Sequence, residues 1–450
     1  MSFSVPNKNV LDSSDLYTYS PLPMFTTYPQ AVDYLYRNLP MFQRVGAAAI
    51  KKDLTNTIKI CAALGNPHEK FRSVHVAGTN GKGSTAHMIA SVLQSAGYKT
   101  GLYTSPHLKS FTERIRVDGK EIEQLAVTDF VNDTLELIEE VKPSFFEITV
   151  GMAFRYFAER KVDVAVIEVG MGGRLDSTNI IHPELSVITN IGCDHADLLG
   201  NTLQSIAREK AGIIKSGVPV VISEMQEEVA QVFEETARER HADIVFAEES
   251  LSVRSRQDGI GIMRGSEVLL DGIVLDLMGN YQQKNILGVV QAVMLLRERG
   301  FAITDGQIRH GLGHVIEQTG LKGRWQQLGT RPLVFCDTAH NAEGLAFVVR
   351  QIRSYSYGRL HMVLGVSADK DTEKIFRLLP IEATYYFCQA KLPRAMEANL
   401  LAEKASANGL SGTVIPDVRE AIQKAMEAAT ADDFVFIGGS TFVVSEIEGL

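Results

Sequence analysis

The sequence predicts an α/β protein in which a mainly parallel sheet covered by helices is followed by a second, smaller α/β domain. Between about Arg72 and Ser223 the runs SVHVAG, TGLYTS, VDVAVIEVG, LSVITNIG and VPVVIS have few polar interior residues, as strands covered on both faces do. Between them, Gly83–Ala96, Leu125–Val141, Phe146–Lys161 and Thr202–Lys215 carry apolar residues at i, i+3 and i+4, and such alternation builds parallel sheets. A chain of 450 residues is also too long for one ordinary core.

Taken in order, the first 40 residues carry no motif. The run SVHVAG enters a glycine loop and then a helix, and later strands and helices follow the same rhythm. Parallel connections place the loops at the carboxyl ends of the strands along one edge, where ligands bind. Residues 241–277 change character: DIVFAEE, SVRSRQ, GIGIMR and VLLDGIVLDL read as short antiparallel strands. Helices are expected at Gln282–Arg299 and Thr304–His314. The stretch from Glu317 to Gly323 lacks periodicity and contains two glycines, which sets the division at 1–320 and 321–450. Alternation restarts with PLVFCDTA, HMVLGV, TYYFCQA, GTVIP and DFVFIGG.

A hydrophobic content of 45% and a charged content of 22% are those of a globular protein in solution. No apolar run reaches the roughly 18 residues of a membrane span, so no membrane partner is expected. The N-terminus has neither a basic start nor an apolar stretch, which argues against secretion. Cys61, Cys193, Cys336 and Cys388 are far apart and read as buried, reduced thiols of a cytoplasmic protein. A net charge of −9 and a pI near 5.7 argue against nucleic acid as a partner.

The stretch VHVAGTNGKGSTAHMI, Val74 to Ile89, carries the first chemical signal. It departs from the common phosphate loop, which has four residues between its glycines and Ser or Thr directly after the lysine. Here two residues separate Gly78 from Gly81, and Gly83 precedes Ser84. One reading is a glycine-rich turn with a surface lysine. The other is a nucleotide site in which Gly78, Thr79, Asn80, Gly81, Lys82, Gly83 and Ser84 cradle phosphate oxygens on backbone N–H groups. The strand before and the helix after favour the second.

Eight motifs then follow in order: AGTNGKGS, YTSPHL, EVGMGGRLDSTN, CDHADLLG, REKAGI, GRWQ, CDTAHN and IGGST. Together they resemble the folylpolyglutamate synthase/dihydrofolate synthase family of the Mur ligase superfamily, over residues 74–440. The resemblance implies a P-loop-containing Mur-ligase-like central domain and a smaller Rossmann-like C-terminal glutamate-ligase domain. It implies ATP as co-substrate, Mg2+, and K+ as an optional ion. Dihydropteroate, reduced folates and L-glutamate are the implied substrates, handled by a monomer. In the family reaction a carboxylate attacks the γ-phosphate of ATP, and glutamate's amino group displaces phosphate from the acyl phosphate. That chemistry asks for neutralised phosphate charge and accurate placement of two anionic substrates.

By the same resemblance Ser105, Glu168 and His195 hold magnesium. Glu168 has independent support, because a Glu inside the apolar run VAVIEVG is costly to bury unless metal-bound or paired. A nearby Arg or Lys is the alternative partner for Glu168; helix capping or a core role is the alternative for His195. Lys210 matches the lysine that relatives carry as a carbamate, with a salt bridge to Glu209 or another acidic neighbour as the unmodified alternative. Lys82, Lys210 and His340 form the implied catalytic set. Ser144, Phe145, Phe146 and Glu147 match a pterin-contacting stretch, joined by Leu175, although paired Phe at a helix start are often core. Arg324 and Asp337 match ATP contacts and Asn285 an adenine neighbour. Asp337 could equally cap a helix, and Asn285 could face solvent. Lys391 and Arg394 are candidates for the glutamate tail. Thr338 stands where the family often has Gly. Three other readings stay open: polyglutamylation alone, a cell-wall Mur ligase, and a nonenzymatic ATP-binding relative.

Overall fold

The computed structural model describes residues 24–49, 51, 53–194, 196–256 and 259–450. The first sheet contains β1 (Arg72–Ala77), β2 (Thr100–Tyr103), β3 (Ile115–Val117), β4 (Lys120–Glu121), β5 (Val164–Glu168), β6 (Leu185–Ile188), β7 (Val220–Ile222) and β8 (Ile244–Phe246). Their order is β4-β3-β2-β5-β1-β6-β7-β8. The six from β2 to β8 run parallel, β3 pairs antiparallel with β2, and β4 pairs antiparallel with β3. The segment DIVFAEE therefore corrects the expectation of antiparallel strands from residue 241. Its β8 pairs in parallel with β7, because the helix Glu227–Glu239 supplies a crossover between them. The next three, β9 (Ser252–Arg256), β10 (Gly259–Arg264) and β11 (Glu267–Ile273), form a separate antiparallel sheet.

The helix Lys82–Ser95 lies in the centre of the core, and every residue from Gly83 to Leu93 is buried. A helix buried on all faces needs small residues where neighbours come close. A side-chain carbon on Gly311 would stand 2.6 Å from the Val92 Cα. The expected helix Leu125–Val141 is two helices, Gln124–Asp133 and Leu135–Val141, with Thr134 at the break. The Thr134 hydroxyl donates back to the Phe130 carbonyl at 2.7 Å, a local bond that competes with helix continuation.

The third sheet holds β12 (Gln326–Thr330), β13 (Leu333–Asp337), β14 (Leu360–Leu364), β15 (Thr384–Phe387), β16 (Gly412–Val414) and β17 (Phe434–Gly438). Its order is β12-β13-β17-β14-β15-β16, parallel except for the edge strand β12. Cys61, Cys336 and Cys388 are buried and free, whereas Cys193 is exposed, which corrects the expectation of four buried thiols. Among the described residues no helix is long and apolar enough to cross a membrane.

Candidate active site

Register decides which residues meet. Val76 on β1 lies beside Glu168 on β5, Tyr103 on β2 beside Ile167, and Ala77 beside Ile188 on β6. The carboxyl ends of four neighbouring strands thus place Gly78, Ser105, Glu168 and Thr189 along one edge. The loop after β1 is clamped there from below. Thr79 N donates to the Asn190 carbonyl at 2.9 Å, Asn80 N to Asn190 Oδ1 at 2.9 Å, and Thr189 Oγ1 to the Asn80 carbonyl at 2.6 Å. Gly78 adopts φ 142° and Gly81 φ 86°, both in the region that favours glycine. A Cβ at Gly78 would sit 1.8 Å from Thr189 Oγ1, and one at Gly81 2.3 Å from Asn285 Oδ1. Asn285 is accordingly buried against the loop rather than turned to solvent.

Lys82 folds back over the loop, and its Nζ donates to the carbonyls of Gly78 and Thr79, each at 3.1 Å. Burial lowers its pKa, opposed first by Glu168 and then by Asp194. Ser84 turns the other way: its hydroxyl is buried and accepts from Gln282 Nε2 at 3.1 Å. A Cβ on Gly83 would lie 3.6 Å from both Arg324 and Glu168, so Gly83 separates the two charged groups that face the site.

Glu168 is buried, and its Oε2 accepts from Ser105 N at 3.0 Å. Burial raises its pKa, and the charge of Lys82, the Ser105 N–H and Arg324 pull it back. Among the described residues no cluster of three or more His, Cys, Asp or Glu could enclose a metal; His195 lies outside those residues. The buried Glu168 carboxylate, held at the strand ends by the Ser105 N–H, offers oxygen to a hard cation that keeps water and phosphate ligands.

Lys210, on the helix Leu203–Ala211, is buried and donates to the Gly78 carbonyl at 2.7 Å. Burial, then the neighbouring Lys82 charge, push its pKa down to about 7. The salt bridge to Glu209 is not formed, because Glu209 pairs with Arg174 at 2.8 Å and adjacent helix residues face different ways. Asp176, to which the resemblance assigns no role, organises the glycine turn beneath. It accepts from Met171 N at 2.8 Å and Thr178 N at 3.0 Å.

On the expected pterin side, three of the residues also have local structural roles. Ser144 and Glu147 form a reciprocal capping box on the helix Phe145–Arg160: Ser144 N donates to Glu147 Oε2 at 2.6 Å and Glu147 N to Ser144 Oγ at 3.3 Å. Phe145 is a core residue packed on Tyr36 and Phe111. Phe146 alone stays half-buried, its ring against Gly170, where a Cβ would stand 2.4 Å from it. Leu175 is half-buried in the turn that follows.

The second domain's sheet edge closes over this one. Asp337 ends β13 and caps no helix; Asn341 caps Ala342–Ile352 instead. Asp337 Oδ2 accepts from Trp325 N at 2.6 Å and Tyr281 Oη at 2.7 Å, and Oδ1 from Ala339 N at 2.8 Å. Arg324 donates to Thr338 Oγ1. His340 Nε2 lies 3.2 Å from Asp194 Oδ2, with Nδ1 3.0 Å from the Thr338 carbonyl. Asn341 Nδ2 donates to Asn80 Oδ1 of the glycine loop at 3.0 Å. Lys391 pairs with Asp417 at 2.9 Å and Arg394 with Asp369 at 2.8 Å. Thr189, Asn190, Asp194 and Lys370 also face the site, although the sequence reading assigned them no role. The polar pair Thr189-Asn190 at the end of an apolar run was the available signal.

Comparison with known proteins matches residues 76–293 to the Mur ligase middle domain and residues 323–441 to the Mur ligase glutamate ligase domain. The dihydrofolate synthase/folylpolyglutamate synthase of Bacillus subtilis is 35% identical over 94% of this chain and 99% of its own. The Escherichia coli FolC structure in complex with DHPP and ADP superposes with a TM-score of 0.81 at 29% identity, covering 94% of this chain and 97% of that one. The Yersinia pestis bifunctional synthase complexed with AMPPNP and Mn ion gives a TM-score of 0.82 at 28% identity, over 94% and 98%.

Proposed function

We infer the reaction from kinship and geometry together: this chain belongs to the Mur ligases, and within them to the dihydrofolate synthase/folylpolyglutamate synthase family. It is an ATP-dependent amide ligase that uses a divalent metal and a pteroate acceptor. L-Glutamate is added to dihydropteroate, giving dihydrofolate, and then to reduced folates. The metal is Mg2+, with K+ as an optional ion. The protein acts as a monomer in the cytoplasm, with 1–320 carrying nucleotide and pterin and 321–450 carrying the glutamate-ligase part.

The observation that carries this reading is the meeting of Lys82, Glu168 and Arg324 around Gly83, at the seam between the two domains. Backbone N–H groups of residues 78–84 receive the phosphates. Lys82, lifted from its carbonyl contacts, and Arg324 offset the charge that spreads over the transferring phosphoryl group. The Glu168 carboxylate, with Ser105 and His195, would hold the metal, which would supply further charge neutralisation. Phe146 and Leu175 bound the pterin, and His340 and Asn341 close over the phosphates. A carbamate on Lys210 converts a buried cation into an anion beside the loop, and its depressed pKa keeps a neutral amine able to attack carbon dioxide.

The test offers dihydropteroate, a reduced folate monoglutamate and a UDP-muramoyl peptide separately, with Mg2+, ATP and labelled glutamate. The expected result is labelled amide from the first two and none from Lys82→Ala. Product from the reduced folate alone would restrict the activity to polyglutamylation, and product from the muramoyl peptide would move it to cell-wall synthesis. No product with intact ATP binding would favour the nonenzymatic reading.

A further inference from the structure

Asp194 follows the segment 189–192 that clamps the glycine loop, and it reaches across to the second domain. Its Oδ1 accepts from Lys370 Nζ at 2.5 Å and its Oδ2 faces His340 Nε2 at 3.2 Å. The side chains of Lys370 and Asp194 are 10% and 11% exposed. This is unlike the solvent-washed pairs elsewhere on the surface, such as Arg419–Glu448 at 59% and 73%. A charge-assisted bond shielded from water is short, directional and little screened by salt. Two more polar contacts lie on the same seam: Asn341 to Asn80, and Cys193 N to Glu343 Oε1 at 3.3 Å. The charge of Asp194 also acts on both Lys82 and Lys210, so the ion pair lies at the rim of the phosphate loop.

We propose that Asp194 and Lys370 are positioning residues for the ligase reaction. Their ion pair docks the second domain on the glycine loop and sets His340 over the phosphates. The pair makes no covalent change and touches no reacting atom. It fixes the closed arrangement in which the Arg324 charge acts on Lys82 and His340 meets Asp194 beside the loop. Because Lys370 and His340 share the Asp194 carboxylate, removing Lys370 leaves the weaker His340 contact to hold this part of the seam, and the second domain lifts from the glycine loop. This inference rests on the ligase reading above.

The test compares Lys370→Met, Lys370→Arg, Asp194→Asn and the double variant Asp194→Asn/Lys370→Met, with Arg419→Met as a remote control. Lys370→Met should lower kcat about 100-fold, the scale of a misplaced catalytic constellation, while KM for dihydropteroate and the thermal midpoint stay near wild type. Lys370→Arg should restore most of the rate, the double variant should be no slower than Asp194→Asn alone, and the control should be unaffected. With AMPPNP and magnesium, small-angle scattering should give Lys370→Met a larger radius of gyration than wild type. Wild-type kcat in Lys370→Met, or losses in the double variant that multiply, would overturn the latch. Absence of amide synthesis by the wild type would instead overturn the ligase reading.

Discussion

Replacing Gly78 with alanine tests whether the glycine loop is the nucleotide cradle. The residue sits at φ 142°, and forcing an L side chain into such a region costs about 1–3 kcal/mol. Steric overlap costs more. The new methyl would meet Thr189 Oγ1 at 1.8 Å and the Thr189 backbone N at 3.0 Å. Thr189 cannot rotate away cheaply, because its hydroxyl holds the Asn80 carbonyl at 2.6 Å. The loop must therefore lift by roughly 1.5 Å, more than the ~1 Å misplacement that is worth about 100-fold in rate. Gly97→Ala is the matched control: its φ is 86° but nothing lies within 4 Å of the added carbon, so it carries only the left-handed strain of about 1–2 kcal/mol. Calorimetric titration with AMPPNP and magnesium should show weaker binding in Gly78→Ala, and its rate should fall at least ~100-fold, with neither loss in Gly97→Ala. Wild-type nucleotide affinity in Gly78→Ala would refute the clamped cradle.

Three other outcomes are expected. Phe145→Ala, in the core, should lose about 3–5 kcal/mol in urea unfolding, whereas Phe146→Ala should lose less stability and raise KM for dihydropteroate about tenfold, on the scale of an aromatic contact. Ser84→Ala, which removes only the bond to Gln282, should cost about 1 kcal/mol and keep its rate; a collapse in rate would mean that the hydroxyl serves the phosphates. Lys210 gives a pH signature, since its folded pKa of about 7 lies below the usual lysine value of 10.5. The unfolded chain then holds the extra proton between those values, so stability rises with pH there. In carbon-dioxide-free buffer the wild-type thermal midpoint should gain on that of Lys210→Met from pH 6 to 9. With labelled bicarbonate a carbamate carbon signal should appear in the wild type alone.

The strands flanking the site were legible because each is a buried apolar run that ends in a polar motif, and parallel topology brings such ends to one edge. The hairpin β3–β4 was not, although Asp118-Gly119, at φ 49° and 73°, is the dipeptide favoured in two-residue hairpin turns with positive φ at both positions. Edge strand β12 reads QQLGT, with no apolar run to mark it. The capping box of Ser144 and Glu147 was readable as S-x-x-E, a local role compatible with the pterin contact that the resemblance implies. Asp194 and Asn341 lie in the motifs CDHADLLG and CDTAHN, but their contacts were not legible there, and Lys370 carried no signal at all. Their roles depend on how two separate sheets dock, and no local spacing encodes that.

If the ligase reading holds, the pteroate carboxylate is phosphorylated by ATP in this site before glutamate attacks. Dihydropteroate labelled with 18O in its carboxylate tests this when turned over with ATP, magnesium and glutamate. One 18O should appear in inorganic phosphate for each amide formed, because the acyl–oxygen bond breaks when the amine displaces phosphate. Amide formation with unlabelled phosphate would contradict the acyl-phosphate route.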